Sequence, residues 1–441
     1  RGDNDLDVVC LILTNAIPKP FPTHHARWSG DIVWLSNDGH GVFSETPELI
    51  RHWFKPGSFG APSMWVGDYD GDGDLDIVRS CNEYDSGNRA KRATCMDVNQ
   101  AITPLNDGTH RHPFMGSTKL VGMSIGGNHN SRAQVLVDLD GDGDDDLVHA
   151  HSSSGLHVTE NTGLENWARS NTRGILQAKT MAIVAGDLDL DGTQDLVIAE
   201  NANINSPSNY GIRIALNTDN DVLAINSFGA SVFNDYPDCS KIPAMELSDM
   251  DNDGDLDLIV MCSGTYKYLY WLTNQKIETG VVSFTWDETT KTSTYQPLLP
   301  EQFYMELVDF DNDGCLDWIS EWSYGHNQYC KDGTKAFTVH QMDPTNSLNR
   351  NRKGMAVGDF NNDGHIDAFV AGASHGGVYW HGDGSATTFS SNNRTVVIAS
   401  GITRALAYDF DRDGDDDIIF VAYNTQMYMV ENDGGAGITD T

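Results

Sequence analysis

The chain has 441 residues, 39% of them hydrophobic, with 10 Trp and a mean hydropathy of −0.40, which is ample apolar material for a core. No run of about 18 apolar residues occurs, which argues against a membrane-spanning helix. Lys and Arg total 28 against 64 Asp and Glu, a formal net charge of −36, and the phosphate backbone of a nucleic acid needs basic patches that this chain lacks.

The acids are not gathered in a tail. More than half of them fall at fixed positions of a nine-residue loop that recurs along the chain at intervals of about 50 to 70 residues. The first copy, Arg1-Gly2-Asp3-Asn4-Asp5-Leu6-Asp7, is degenerate: Arg1 stands where an acid is expected and Asn4 replaces a glycine, so no well-held ion is expected there. Its Arg-Gly-Asp tripeptide matches an adhesion motif, but three residues inside a degenerate loop carry little weight. The second copy is complete, with Asp68, Asp70, Asp72, Asp74 and Asp76 alternating around Gly73. The third is complete too, with Asp138, Asp140, Asp142, Asp144 and Asp146 around Gly143. The fourth carries Asp187, Asp189, Asp191, Thr193 and Asp195, and the fifth Asp249, Asp251, Asp253, Asp255 and Asp257. The sixth reads Asp309, Asp311, Asp313, Cys315 and Asp317; the seventh reads Asp359, Asn361, Asp363, His365 and Asp367. The eighth, Asp409, Asp411, Asp413, Asp415 and Asp417, is again complete.

Hard cations such as Ca²⁺ take six to eight oxygen ligands, and alternating carboxylates in a short loop can wrap one ion. The sixth-position glycine permits the sharp turn this requires. Thr, Cys and His at position seven share no side-chain chemistry for Ca²⁺, so that position is expected to offer its backbone carbonyl. About seven Ca²⁺ sites are therefore expected.

Each loop is flanked alike. A short strand enters, as in Ser63-Met64-Trp65-Val66, and an apolar strand leaves, as in Asp257-Leu258-Ile259-Val260. A third strand carries aromatic or branched residues, as in Tyr268-Leu269-Tyr270-Trp271-Leu272. A Gly/Asn/Asp turn such as Asn37-Asp38-Gly39 leads to a fourth. Four strands per unit make a propeller blade. No amphipathic helix of useful length is visible, so the chain is read as all-β, a single β-propeller over residues 1–441. The first unit has strands two to four and the last has strands one to three, so an upstream segment is expected to complete the ring. Eight blades follow; seven, with one unit outside the ring, is the alternative.

The combination of this loop with the Asn-Asp-Gly turn resembles the FG-GAP/VCBS repeat family, which includes integrin α-subunit propellers and secreted microbial propellers. The resemblance spans nearly the whole chain. It implies calcium loops between the first and second strands of each blade that brace blades and do no chemistry. Arg1, Asn4 and Asn361 depart from the pattern.

High free Ca²⁺ outside cells suits such loops, so the chain is expected to be secreted or at the cell surface. Seven cysteines fit an oxidising compartment, with Cys81–Cys95, Cys239–Cys262 and Cys315–Cys330 as the pairs considered and Cys10 left over. Asn393-Arg394-Thr395 is the one glycosylation sequon. Three functions compete. A recognition or adhesion module would bind a glycan or protein, stacking sugars on residues such as Tyr210, Trp322 and Tyr324. A structural subunit would self-assemble head to tail. A polysaccharide lyase acting on uronates would need a His–Arg–Tyr set, for which His129, Arg132, Tyr304 and Arg404 are candidates near a central channel. The non-catalytic reading is preferred, with the lyase as the alternative.

Overall fold

The computed structural model describes residues 8–14, 26–38, 43, 48–56, 64–69, 75–84, 90–98, 118–123, 133–151, 155–163, 167–170, 179–201, 211–217, 241–263, 267–285, 291–294, 305–314, 316–320, 326–331, 334–341, 352–372, 376–384, 394–397, 402–422 and 427–432. Within these residues the chain is all-β. The strands form eight small antiparallel sheets, each built from consecutive strands. The first sheet begins with Val8–Thr14, the strand that follows the degenerate loop, and the last consists of Ile402–Tyr408, Asp417–Ala422 and Met427–Val430. The one helix among the described residues is a single turn, Lys276–Thr279, closed by Gly280 in the left-handed region at φ 75°. No described helix is long and apolar enough to cross a membrane.

Seven acidic loops join the first and second strands of their sheets in one register. The residue before each loop pairs with its ninth-position aspartate: Gly67 with Asp76, Val137 with Asp146, Gly186 with Asp195 and Ser248 with Asp257. Val308 with Asp317, Gly358 with Asp367 and Tyr408 with Asp417 complete the series.

The apolar run after each loop is explained by burial on both faces. Successive side chains of a strand point to opposite sides. In strand Asp195–Asn201, Leu196 and Ile198 pack with Val137, Val148 and Val158 of the third sheet, while Val197 and Ala199 pack with Ile242, Leu258 and Val260 of the fifth. Ile418 and Phe420 likewise face the seventh sheet, and Ile419 between them faces the first. Strands buried on both sides read as continuous hydrophobic stretches, as these do.

Every core cluster thus sits between two neighbouring sheets. The series runs through Ile32, Trp34 and Ile77 between the first and second sheets, and Tyr69, Val78 and Leu147 between the second and third. Farther on come Met250 and Trp271 against Leu307 and Leu316, then Phe310 against Met355 and Trp380. Finally Val8 of the first sheet packs with Phe410 and Ile419 of the last, and the Phe43 ring meets Phe410 edge-on at 5.7 Å. The order of sheets in space is the order in sequence, and its two ends touch.

Candidate metal centres

From the third repeat onward, each acidic loop is built around its first aspartate. In the fifth repeat, Asp249 accepts the Asp253 N–H at 3.1 Å on Oδ1 and the Gly254 N–H at 3.0 Å on Oδ2. Asp187, Asp309 and Asp359 take the corresponding N–H groups of their own loops. Wrapping the chain this tightly needs positive φ at two positions. The sixth is always glycine, at φ 88° to 101° in Gly192, Gly254 and Gly414. The fourth is also left-handed, at Asn252, Asn312, Asn362, Arg412 and even Leu190 (φ 59°). A leucine there stores about 1–2 kcal/mol of backbone strain.

This winding brings the alternating carboxylates together. Oxygens of Asp138, Asp140 and Asp142 lie within 4.8 Å of one another, as do those of Asp187, Asp189 and Asp195. The same holds for Asp249, Asp251 and Asp253, and for Asp309, Asp311 and Asp317. In the eighth loop, Asp411 and Asp413 take N–H groups from Asp413 and Asp415. Asp70, Asp72, Asp74 and Cys315 lie outside the described residues. Two side chains at position seven turn toward protein: the Thr193 hydroxyl lies between Asp191 and the Asn217 carbonyl, and the His365 ring meets Asn312 of the preceding loop at 3.2 Å. In the seventh loop the Asn361 amide donates to Asp363 at 3.0 Å.

Four stretches, residues 1–78, 138–198, 249–320 and 359–436, match the model of the FG-GAP-like repeat, well over half of the sequence. The chain belongs to the FG-GAP-like repeat family. No curated protein matches it. Solved structures with similar folds include BBS1N in complex with ARL6DN (10% identity, 86% of this chain and 95% of that one, TM-score 0.43). Saccharomyces cerevisiae Sqt1 has 11% identity over 85% of this chain and 83% of its own, with a TM-score of 0.45. The V. cholerae biofilm matrix protein Bap1 has 12% identity over 98% and 89%, with a TM-score of 0.37.

The FG-GAP-like loops carry a second device that pattern reading missed. The ninth aspartate is fully buried in all seven loops. Its Oδ2 accepts the N–H of the loop's second residue, for example Leu139 to Asp146 at 3.1 Å and Met250 to Asp257 at 3.2 Å. Its Oδ1 accepts the N–H of an asparagine at the end of the third strand: Asn161 at 2.7 Å, Asn217 at 2.7 Å, Asn274 at 2.8 Å and Asn432 at 2.8 Å. Three of these asparagines then reach the preceding repeat. Asn161 Nδ2 donates to the Tyr69 carbonyl at 2.9 Å, Asn217 to Leu139 at 2.7 Å and Asn274 to Leu188 at 3.1 Å. Asn37 of the first sheet makes the same bond to Phe410 of the last, at 2.7 Å. One buried residue therefore ties loop, third strand and neighbouring sheet together. The signal was an asparagine 15 to 22 residues after the ninth aspartates Asp146, Asp195, Asp257 and Asp417. In the seventh repeat Gly382 takes that place, because a side chain would collide with the Ile366 carbonyl.

Burial and mutual repulsion hold many of these carboxyls toward the protonated form. Burial raises Asp146 to about 7, Asp195 to about 6, Asp257 to about 8 and Asp417 to about 6. Burial first, and Asp413 and Asp417 next, push Asp415 to about 7. Among the described carboxyls of these loops Asp191 alone is lowered, by hydrogen bonds from Thr193. The donor set suits a hard divalent cation. Asp189, Asp255, Asp409 and Asp415 each hold a buried Oδ1 with no hydrogen-bond partner, which a cation would satisfy.

A pH dependence follows. With ordinary unfolded values near 3.9, the metal-free folded chain binds more protons than the unfolded one between about pH 4 and pH 8, so its stability falls as pH rises through that window. In chelator, the melting temperature is expected to be higher at pH 5 than at pH 8. A rise from pH 5 to 8 would contradict this.

The remaining candidates contribute no geometry. His129, Arg132 and Tyr304, and likewise Tyr210, Trp322 and Tyr324, lie outside the described residues, as does Asn393. Arg404 lies in strand Ile402–Tyr408 opposite Val421, with its side chain outside the description. Cys95 and Cys262 are disulfide-bonded; the partners expected for them, Cys81 and Cys239, lie where side chains are not described.

Proposed function

We propose that residues 1–441 form one calcium-braced β-propeller whose eight sheets are its blades. On this reading it works outside the cell as a non-catalytic module for recognition, adhesion or assembly. The observation that carries it is the unbroken series of sheet-to-sheet contacts, closed where Asn37 and Phe43 meet Phe410. Eight sheets in one closed series favour eight blades over seven with an outlying unit.

Asp68–Asp76, Asp138–Asp146, Asp187–Asp195, Asp249–Asp257, Asp309–Asp317, Asp359–Asp367 and Asp409–Asp417 are the seven Ca²⁺ loops. Each would hold one ion through its alternating carboxylates, with the position-seven carbonyl completing the shell. A bound ion supplies positive charge that lets the carboxylates ionise inside a packed ring. The disulfide-bonded Cys95 and Cys262 and the affinity range of extracellular calcium modules both support secretion. The partner is a glycan or a protein met on the propeller faces, and a second copy of the chain is one such protein.

Incubation with uronate-containing polysaccharides separates this reading from a lyase. No unsaturated product absorbing in the ultraviolet is expected. Steady accumulation of such product would replace the binding module with an enzyme.

A further inference from the structure

We propose that the fifth repeat holds a second divalent cation, bound by Asp253, Asp255 and Glu278, beside the ion assigned to Asp249, Asp251 and Asp253. This rests on the calcium reading above and adds a centre that the repeat pattern does not contain. Glu278 lies outside the loop. It belongs to the one-turn helix Lys276–Thr279, which directly follows Asn274 and Gln275 and is the only helix among the described residues. The turn is fixed onto the loop, because the Ile277 N–H donates to Asp255 Oδ2 at 2.9 Å.

Ligand atoms of Asp253, Asp255 and Glu278 lie within 4.8 Å of one another. Three carboxylates at that separation repel one another unless positive charge lies between them. A separate observation points to a ligand. Asp255 is 1% exposed, and its Oδ1 has no hydrogen-bond partner although Oδ2 does. A bare carboxylate oxygen in a buried position calls for a counter-charge. At the equivalent position Thr193 bonds Asp191 and Asn217 and His365 bonds Asn312; Asp415 shares the bare buried Oδ1, but no helix such as Lys276–Thr279 follows its loop among the described residues.

Two centres fit better than one enlarged centre. Asp249, Asp251 and Asp253 form one close group and Asp253, Asp255 and Glu278 another, with Asp253 common to both. Its carboxylate bridges them. Glu278 is exposed, so water can fill the rest of the second shell of six to eight oxygens.

Calcium binding to the full chain, counted by titration calorimetry and equilibrium dialysis with Ca²⁺ alone, tests this. Glu278→Gln is expected to bind one ion fewer than the wild type, Asp251→Asn one fewer, and Asp253→Asn two fewer. An unchanged count and affinity in Glu278→Gln, or a loss of only one ion in Asp253→Asn, would overturn the second site. In chelator, Glu278→Gln is expected to melt with the wild type; a lower melting temperature there with an unchanged count would make Glu278 a structural residue instead. A wild type that binds no calcium would overturn the calcium reading itself, so the two failures are told apart.

Discussion

Replacing Asp257 with alanine is expected to destabilise the protein by at least about 3 kcal/mol, more than any other single substitution in the fifth loop. Three buried donors converge on this carboxylate: the Met250 N–H, the Asn274 N–H and the Trp271 indole N–H at 2.9 Å. Each buried donor left unpaired costs about 1–3 kcal/mol. The loss also frees Asn274, whose amide spans to Leu188 in the preceding repeat. The effect should therefore appear as looser packing between the fourth and fifth sheets as well as a frayed loop. Asp257→Asn, which keeps one acceptor oxygen, is expected to cost less. Denaturant titration checks both. A midpoint for Asp257→Ala indistinguishable from the wild type would remove the ninth aspartate from any structural role.

Chelation is expected to lower the melting temperature by roughly 3 to 10 °C at neutral pH. Extracellular calcium modules bind with dissociation constants of about 0.1–1 mM. At about 1 mM Ca²⁺, mass action then contributes about 0.4–1.4 kcal/mol per site, or about 3–10 kcal/mol over seven sites. For a chain this long, about 1 kcal/mol corresponds to about 1 °C. The formal charge of −36 acts in the same direction, since stripping the cations leaves crowded carboxylates to repel one another. The shift should shrink at pH 5, where protons compete for the same oxygens. A melt indifferent to chelator at pH 8 would contradict the account.

The fold was legible because two periods coincide in the sequence. One is the spacing of acidic loops; the other is the apolar run after each, such as Leu258-Ile259-Val260, which only burial on both faces explains. The inter-repeat asparagines could not be read this way, because Asn161 or Asn274 is also an ordinary turn residue in sequence. Its role depends on a partner 86 to 92 residues away. The same reason hid the ninth aspartate's structural work: a carboxylate that can ligate a cation and one that gathers backbone N–H groups look identical in a repeat. Glu278 escaped because it belongs to an insertion, where no repeat register exists to flag it.

A crystal structure grown in calcium, with anomalous differences recorded, tests the central claim most directly. Peaks are expected in seven loops, each about 2.3–2.6 Å from carboxylate oxygens, in a ring of eight sheets closed through Asn37 and Phe410. Loops free of anomalous signal at saturating calcium, or first and last sheets apart, would contradict it.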